Sequence, residues 1–181
     1  MKIMFASDIH GSYYAAQSIK TAFEREESQR LVLLGDLLYH GPRNPLPQDY
    51  NPQKVAELLN TLKENIICVR GNCDSEVDQM LLDFPIIAPY ALLEVDSYTM
   101  FFTHGHIYND KELPPLRAGD IFINGHTHIP LVQKSDKHIF LNPGSCSLPK
   151  QSYDKSYMIY EDGIFSIKTL DGNVFMKLSI R

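Results

Sequence analysis

Long apolar runs are missing from this chain. No stretch approaches the roughly 20 apolar residues that a membrane-spanning helix needs. The opening run Lys2-Ile3-Met4-Phe5-Ala6 leads to Asp8 too soon for a secretory-signal core and has no small-residue cleavage site. A membrane protein is therefore not expected. Cysteine is also scarce: Cys68, Cys73 and Cys146 are an odd set without CxxC spacing, which argues against a disulfide framework or a thiolate zinc site. A reducing cytoplasm fits this usage. Clustered basic residues are absent as well. The formal net charge is −5, and a protein that wraps long nucleic acid would carry a basic stripe. Repeats, low-complexity tracts and linkers are lacking too. The 181 residues, 44% of them apolar, are read as one domain spanning 1–181 with one well-buried core.

What is present is a series of short apolar runs that end abruptly in polar or glycine-containing residues: 3–6, 31–34, 66–69, 100–102 and 121–123. These read as buried strands. Between the first three lie two segments with helical spacing, one around Ala15, Ile19, Ala22 and Phe23, the other carrying Val55, Leu58, Leu59 and Leu62. Strand, helix, strand, helix, strand predicts a right-handed α/β arrangement with parallel pairing. A third short helix is expected over 76–82, capped by Ser75. After Pro85 the chain reads as β segments separated by turns such as Asp162-Gly163 and Asp171-Gly172-Asn173. Residues 39–52, with Pro42, Pro45, Pro47 and Pro52, read as a long functional loop over a site.

Each of the five runs delivers metal-competent side chains at its end. Ser7-Asp8-Ile9-His10-Gly11 follows the first, Gly35-Asp36 the second, and Arg70-Gly71-Asn72-Cys73-Asp74 the third. Thr103-His104-Gly105-His106 and Asn124-Gly125-His126-Thr127-His128 follow the last two. In open α/β sheets the carboxyl ends of the strands line the ligand crevice. Asp8 with His10, and His126 with His128, are spaced i, i+2, which aims both side chains the same way in extended chain. Singly, each motif is ordinary, since Asp at a strand end caps helices and Gly-Asp makes turns. Five at equivalent positions point to a metal centre.

The ordered set DxH, GD, GNxD, GH and GHTH resembles the calcineurin-like metallophosphoesterase superfamily. The stretches His40-Gly41-Pro42-Arg43-Asn44 and 70–76 are similar to its small bacterial YfcE-type phosphodiesterases. The likeness runs from Met1 to about Pro149 and implies an α/β fold: a four-layer αββα sandwich of two mixed sheets with a dinuclear centre at one edge. It implies one metal held by Asp8, His10 and His128, a second held by Asn72, His104 and His126, and Asp36 bridging them. A homo-oligomer is also compatible with the resemblance. Carboxylate, imidazole and amide donors suit manganese, the expected ion, with zinc, iron or nickel as alternatives. Two ions roughly 3.5–4 Å apart would clamp the attacking and departing oxygens, with a metal-bridged hydroxide as nucleophile.

The expected activity is hydrolysis of a small or terminal phosphodiester. A phosphomonoesterase and a non-catalytic scaffold are the rivals; the scaffold is disfavoured because every ligand type is present. Many members have histidine where this chain has Cys73, so Cys73 is either a plain small residue beside Asn72 or a weak proton donor or metal-sensitive thiol. Asp74 either orients a ligand or substrate-side group or caps the helix after it. His40 is a substitute acid or an exposed loop residue, and His106 a substrate contact or a turn residue. Arg43 and Arg70 are candidate phosphate clamps or surface ion-pair partners. Asn142-Pro143-Gly144-Ser145 resembles the family's turn back towards the metals, and His138 reads as a strand residue. No Lys or Arg cluster adjoins the five motifs, so diesters are expected to be preferred over dianionic monoesters.

Overall fold

Alternation of side chains along β1 (Lys2–Ala6) divides the interior in two. Ile3 and Phe5 face a core between two sheets, while Met4 and Ala6 face a core under the helices. β2 (Arg30–Leu33) repeats the pattern, with Val32 towards the sheets and Leu31 and Leu33 towards the helices. The computed structural model describes residues 1–180. Sheet one joins β1, β2 and β3 (Ile66–Cys68), all parallel, to the antiparallel strands β9 (Ser156–Glu161), β10 (Ile164–Thr169) and β11 (Val174–Ser179). Its order is β11-β10-β9-β1-β2-β3.

Sheet two comprises β4 (Tyr90–Val95), β5 (Tyr98–Thr103), β6 (Ile121–Asn124), β7 (Leu131–Lys134) and β8 (Ile139–Asn142), ordered β4-β5-β6-β8-β7. β5, β6 and β8 run parallel and the edge strands antiparallel. The sheets meet through buried rings such as Phe5 and Phe102, edge to face with centroids 6.3 Å apart.

The helices α1 (Tyr13–Arg25) and α2 (Pro52–Asn60) cover sheet one. Ser12 caps α1 by accepting from the Ala15 N–H, and Asn51 caps α2 by accepting from Lys54 N–H. Pro52 is therefore the first helical residue, where its missing N–H costs nothing, rather than part of the preceding loop. α3 (Glu76–Gln79) starts at a Ser75/Asp78 capping box but stops short of 82. Gln79 turns the chain there, donating to the Leu82 and Phe84 carbonyls and accepting from Ile86 N–H. His138 lies in the turn before β8, where its N–H donates to Ser135 Oγ, and not in a strand.

The two mixed sheets and the α/β sandwich match the expected fold class. Over the outer face of sheet two the covering segment, 105–120, is irregular: Pro114 and Pro115 cannot supply helical N–H groups. No helix among the described residues is long and apolar enough to cross a membrane.

Candidate metal centre and its cavity

Backbone hydrogen bonds lash the strand ends together. Asp8 N–H donates to Gly35 C=O at 3.2 Å and His10 N–H to Asp36 C=O at 2.9 Å. Gly125 N–H donates to His104 C=O at 2.8 Å, and His126 N–H crosses between the sheets to Asp8 Oδ2 at 3.1 Å. Five site residues, Asp8, His10, Asp36, His126 and His128, hold left-handed backbone at φ between 51° and 66°. That region is costly for most L-residues and least so for Asp, Asn and His. Such strain persists only where surroundings enforce it and clusters at functional sites. Close approach explains two glycines: a Cβ on Gly71 would collide with the Asp36 carboxylate, and one on Gly125 with Ser7 Oγ.

The seven expected ligands converge in two adjoining groups. In the first, His128 Nε2 and His10 Nε2 lie 3.2 and 3.6 Å from Asp8 Oδ1 and 3.2 Å from each other. In the second, His104 Nε2 is 3.1 Å from both Asn72 Oδ1 and His126 Nδ1. Asp36 Oδ2 stands between them, 3.7 Å from His10 Nε2 and 3.4 Å from His104 Nε2. The tautomers are set from behind. Backbone carbonyls only accept, so the Nδ1–H groups of His10, His104 and His128 donate to Tyr39, Leu34 and Leu148 C=O at 2.9, 2.7 and 2.6 Å. Each Nε2 lone pair is thereby aimed into the site.

These donors fit divalent cations. Asp8 Oδ1 is buried without a hydrogen-bond partner, and the lone pairs of His10 and His128 converge beside it. Burying a charge without compensation is expensive, and a cation supplies what is missing. The electrostatics agree. Burial alone would raise the Asp8 carboxyl, but His128, His104 and His10 hold it well below the usual range. Burial would lower His104, yet the Asp36 hydrogen bond and the Asp8 and Asp36 charges push it up to about 9, as expected where two carboxylates make the site attractive to positive charge.

The other candidates fall in different places. Asp74 is buried and its carboxylate is spent on backbone: Oδ2 accepts from Asp36 and Gly71 N–H at 2.8 and 2.7 Å, and Oδ1 from Leu37 N–H at 2.9 Å. It ties together the 36–37 and 71 backbone beside the candidate ligands Asp36 and Asn72, and Ser75, not Asp74, caps α3. Burial and the Asp36 charge nevertheless push its carboxyl up. The half-buried Cys73 donates its N–H to Asp36 Oδ1 at 2.8 Å, and its sulfur accepts from Asn72 Nδ2 at 3.3 Å. Burial and the Asp36 charge raise its thiol to about 12. His40 packs its ring edge to face against Tyr39 and Tyr50, at 4.9 and 5.2 Å, and does not line the main cavity. His106 tilts against His104 at 5.4 Å and lines a smaller recess behind Asn72. Arg70 also lines that recess, bound to Asp74 C=O at 3.1 Å and paired with Glu76 at 3.5 Å.

A cavity of about 540 Å³ opens over Asp36, Asn72, His126 and His128, and Arg43 lines it from the 39–51 loop. Thr127 and Lys150 line it too, and neither carries a signal of its own in the sequence: Thr127 lies between two histidines, and Lys150 lies beyond the last motif. The 142–148 segment is a brace. Asn142 Nδ2 donates to Gly125 C=O at 2.8 Å, while Ser145 and Ser147 Oγ donate to Asp8 C=O at 2.9 and 2.6 Å. The Asn-Pro-Gly-Ser turn was visible in sequence; nothing marked Ser147.

The calcineurin-like phosphoesterase superfamily domain model matches residues 1–162. Phosphodiesterase YfcE of Escherichia coli K12 is 45% identical over 181 residues, covering 99% of this chain and 98% of the relative. A solved structure of the E. coli protein superposes with TM-score 0.98 over the whole of both chains at 44% identity. Zinc-complexed Vps29 from Entamoeba histolytica, at 19% identity, 100% coverage of both chains and TM-score 0.64, shares the fold alone. On its full-length likeness to the bacterial enzyme and on the family model that spans all five motifs, this chain belongs to the calcineurin-like phosphoesterase superfamily.

Proposed function

We propose that this single-domain protein is a metal-dependent phosphodiesterase that hydrolyses a small or terminal phosphodiester in the cytoplasm. Its metal ligands are Asp8, His10, Asp36, Asn72, His104, His126 and His128. The observation that carries this reading is the sharing of Asp36 Oδ2 by two converging donor groups, each with imidazole nitrogens freed by a carbonyl behind the ring. The phosphodiesterase activity named for the E. coli relative supports it. Two bound divalent ions, manganese by the preference of oxygen and imidazole donors, supply an activated water near neutral pH and Lewis-acid stabilisation of the phosphoryl oxygens.

The chain's own groups do the rest. The carboxylate of Asp36 at the cavity wall and that of the buried Asp8 would hold the cations, and the strained 8–10 and 126–128 turns hold the rings in place. Cys73, beside Asn72, puts a thiol where an imidazole could protonate a leaving oxygen, and that sulfur is engaged by Asn72 Nδ2. Elemental analysis and anomalous scattering on metal-loaded protein should find two neighbouring ions at Asp36; a single ion elsewhere would sink the reading. Phosphomonoester hydrolysis is the second reading, favoured by the cations Arg43 and Lys150 in the cavity. A screen of aryl diesters against the matching monoesters on the metal-stripped protein, with single ions restored, decides between them.

A further inference from the structure

Arg43 and Lys150 reach the cavity from separate segments, the 39–51 loop and the stretch that follows the 142–148 brace. Both are exposed, and neither side chain forms an ion pair or hydrogen bond among the described residues. Other basic side chains near the site are occupied, as Arg70 is by Asp74 C=O and Glu76. Lys150 is held in position by its backbone, whose N–H donates to His128 C=O at 3.2 Å. The loop carrying Arg43 closes on the centre at Gly41, where a Cβ would lie 3.2 Å from Cys73 Sγ. Asn44 and Thr127 add neutral polar groups to the same cavity lining.

Charge accounting shows what these cations would meet. On the reading above, two divalent ions bring four positive charges against the two carboxylates, Asp8 and Asp36. With the hydroxide expected at the ions, the remaining surplus of one positive charge already matches the single negative charge of a phosphodiester. Two further uncommitted cations have no counter-charge on a diester whose ester arms are neutral. Guanidinium and ammonium groups at a cavity wall recognise phosphate or carboxylate oxygens.

We propose that Arg43 and Lys150 form a clamp for a second anionic group, a phosphate or carboxylate carried on one ester arm, and that the preferred substrates are diesters bearing such a group. This inference rests on the phosphodiesterase reading. Exposed ion pairs contribute modestly, so the two cations together give a preference on the order of tenfold in kcat/KM.

The test uses p-nitrophenyl diesters with a common leaving group. Their second arm ends in a hydroxyl, a carboxylate or a phosphate, and the two anionic arms separate the sources of the charge. The metal-loaded wild type should favour at least one anionic arm about tenfold, and the preference should shrink as salt is raised. R43Q and K150Q should each reduce the ratio of anionic-arm to hydroxyl-arm kcat/KM, and the double variant should bring it near one. Calorimetric titration of metal-stripped protein with inorganic pyrophosphate gives a readout without turnover, with saturable binding expected in the wild type and lost in the double variant. A wild-type ratio near one overturns the clamp while leaving the phosphodiesterase intact. So does an equal loss on all arms in the variants, which would place the cations on the reacting phosphate. If p-nitrophenyl phosphate is cleaved and no diester is, both readings fall.

Discussion

Replacing Asp74 by Asn tests whether a buried carboxylate that never faces the cavity holds the metal site together. Its oxygens accept three backbone N–H groups, from Asp36, Gly71 and Leu37, at 2.7 to 2.9 Å. Asparagine keeps one acceptor oxygen, enough for the Asp36 and Gly71 pair that shares Oδ2. Its amide nitrogen would then face the Leu37 N–H, donor against donor. The loss is one hydrogen bond to a charged group, about 1.5–3 kcal/mol, plus desolvation of an unpaired N–H, about 1–3 kcal/mol. Burial and the Asp36 charge already oppose ionisation of Asp74, which offsets part of the sum. The expected destabilisation is about 2–4 kcal/mol, read by urea unfolding of metal-stripped protein with an unchanged m-value. Because those N–H groups belong to the ligand loops, metal affinity should fall about 10–100-fold in a chelator competition titration. A stability change under about 0.5 kcal/mol with unaltered affinity would refute the reasoning and show that the loops are held by other contacts.

Three further outcomes are expected. Asp36→Asn should lower turnover by at least about 100-fold and leave circular dichroism unchanged, because it removes a shared ligand oxygen at the edge of the sandwich; loss of cooperative unfolding would make Asp36 chiefly structural. In the native protein the rate should fall steeply as leaving-group pKa rises, since Cys73 puts a thiol where an imidazole could protonate the leaving oxygen. Cys73→His should then speed poor alkyl leaving groups more than aryl ones, by no more than roughly 10²–10⁴-fold. A flat dependence abolished by His106→Ala would assign the acid to His106 instead. Away from the site, burial would raise the Glu26 carboxyl, but hydrogen bonds from Lys168 Nζ and Tyr157 Oη and the Lys168 and Arg25 charges hold it below its usual 4.5. A depressed carboxyl contributes stability above its unfolded pKa and loses it as pH falls through the folded value. Glu26→Gln should therefore cost roughly 1–3 kcal/mol at pH 7 and progressively less below about pH 4.5 in unfolding experiments; an equal cost at pH 3 would contradict that origin.

The five strand-to-loop junctions, and with them the seven donor residues, were legible in sequence because they are local. An apolar run marks a buried strand, and its polar end marks where the chain reaches the crevice. The helical stripe at Ala15, Ile19 and Ala22 and the cap at Ser75 were legible for the same reason. Tertiary structure decided what depends on neighbours distant in the chain. α3 ends at Gln79 because that side chain captures backbone groups up to seven residues on, which periodicity does not record. The segment over sheet two carries no helix, and His138 sits in a turn. The same distinction runs through the site. Residue type marked His104 and His128 as candidate metal ligands, but only the fold reveals the Leu34 and Leu148 carbonyls that aim their Nε2 atoms. Ser147 and Lys150 carry no local signal. They matter because the return through 142–148 lays one serine on the Asp8 carbonyl and brings one lysine to the cavity, a meeting of segments about 140 residues apart that no window of sequence contains.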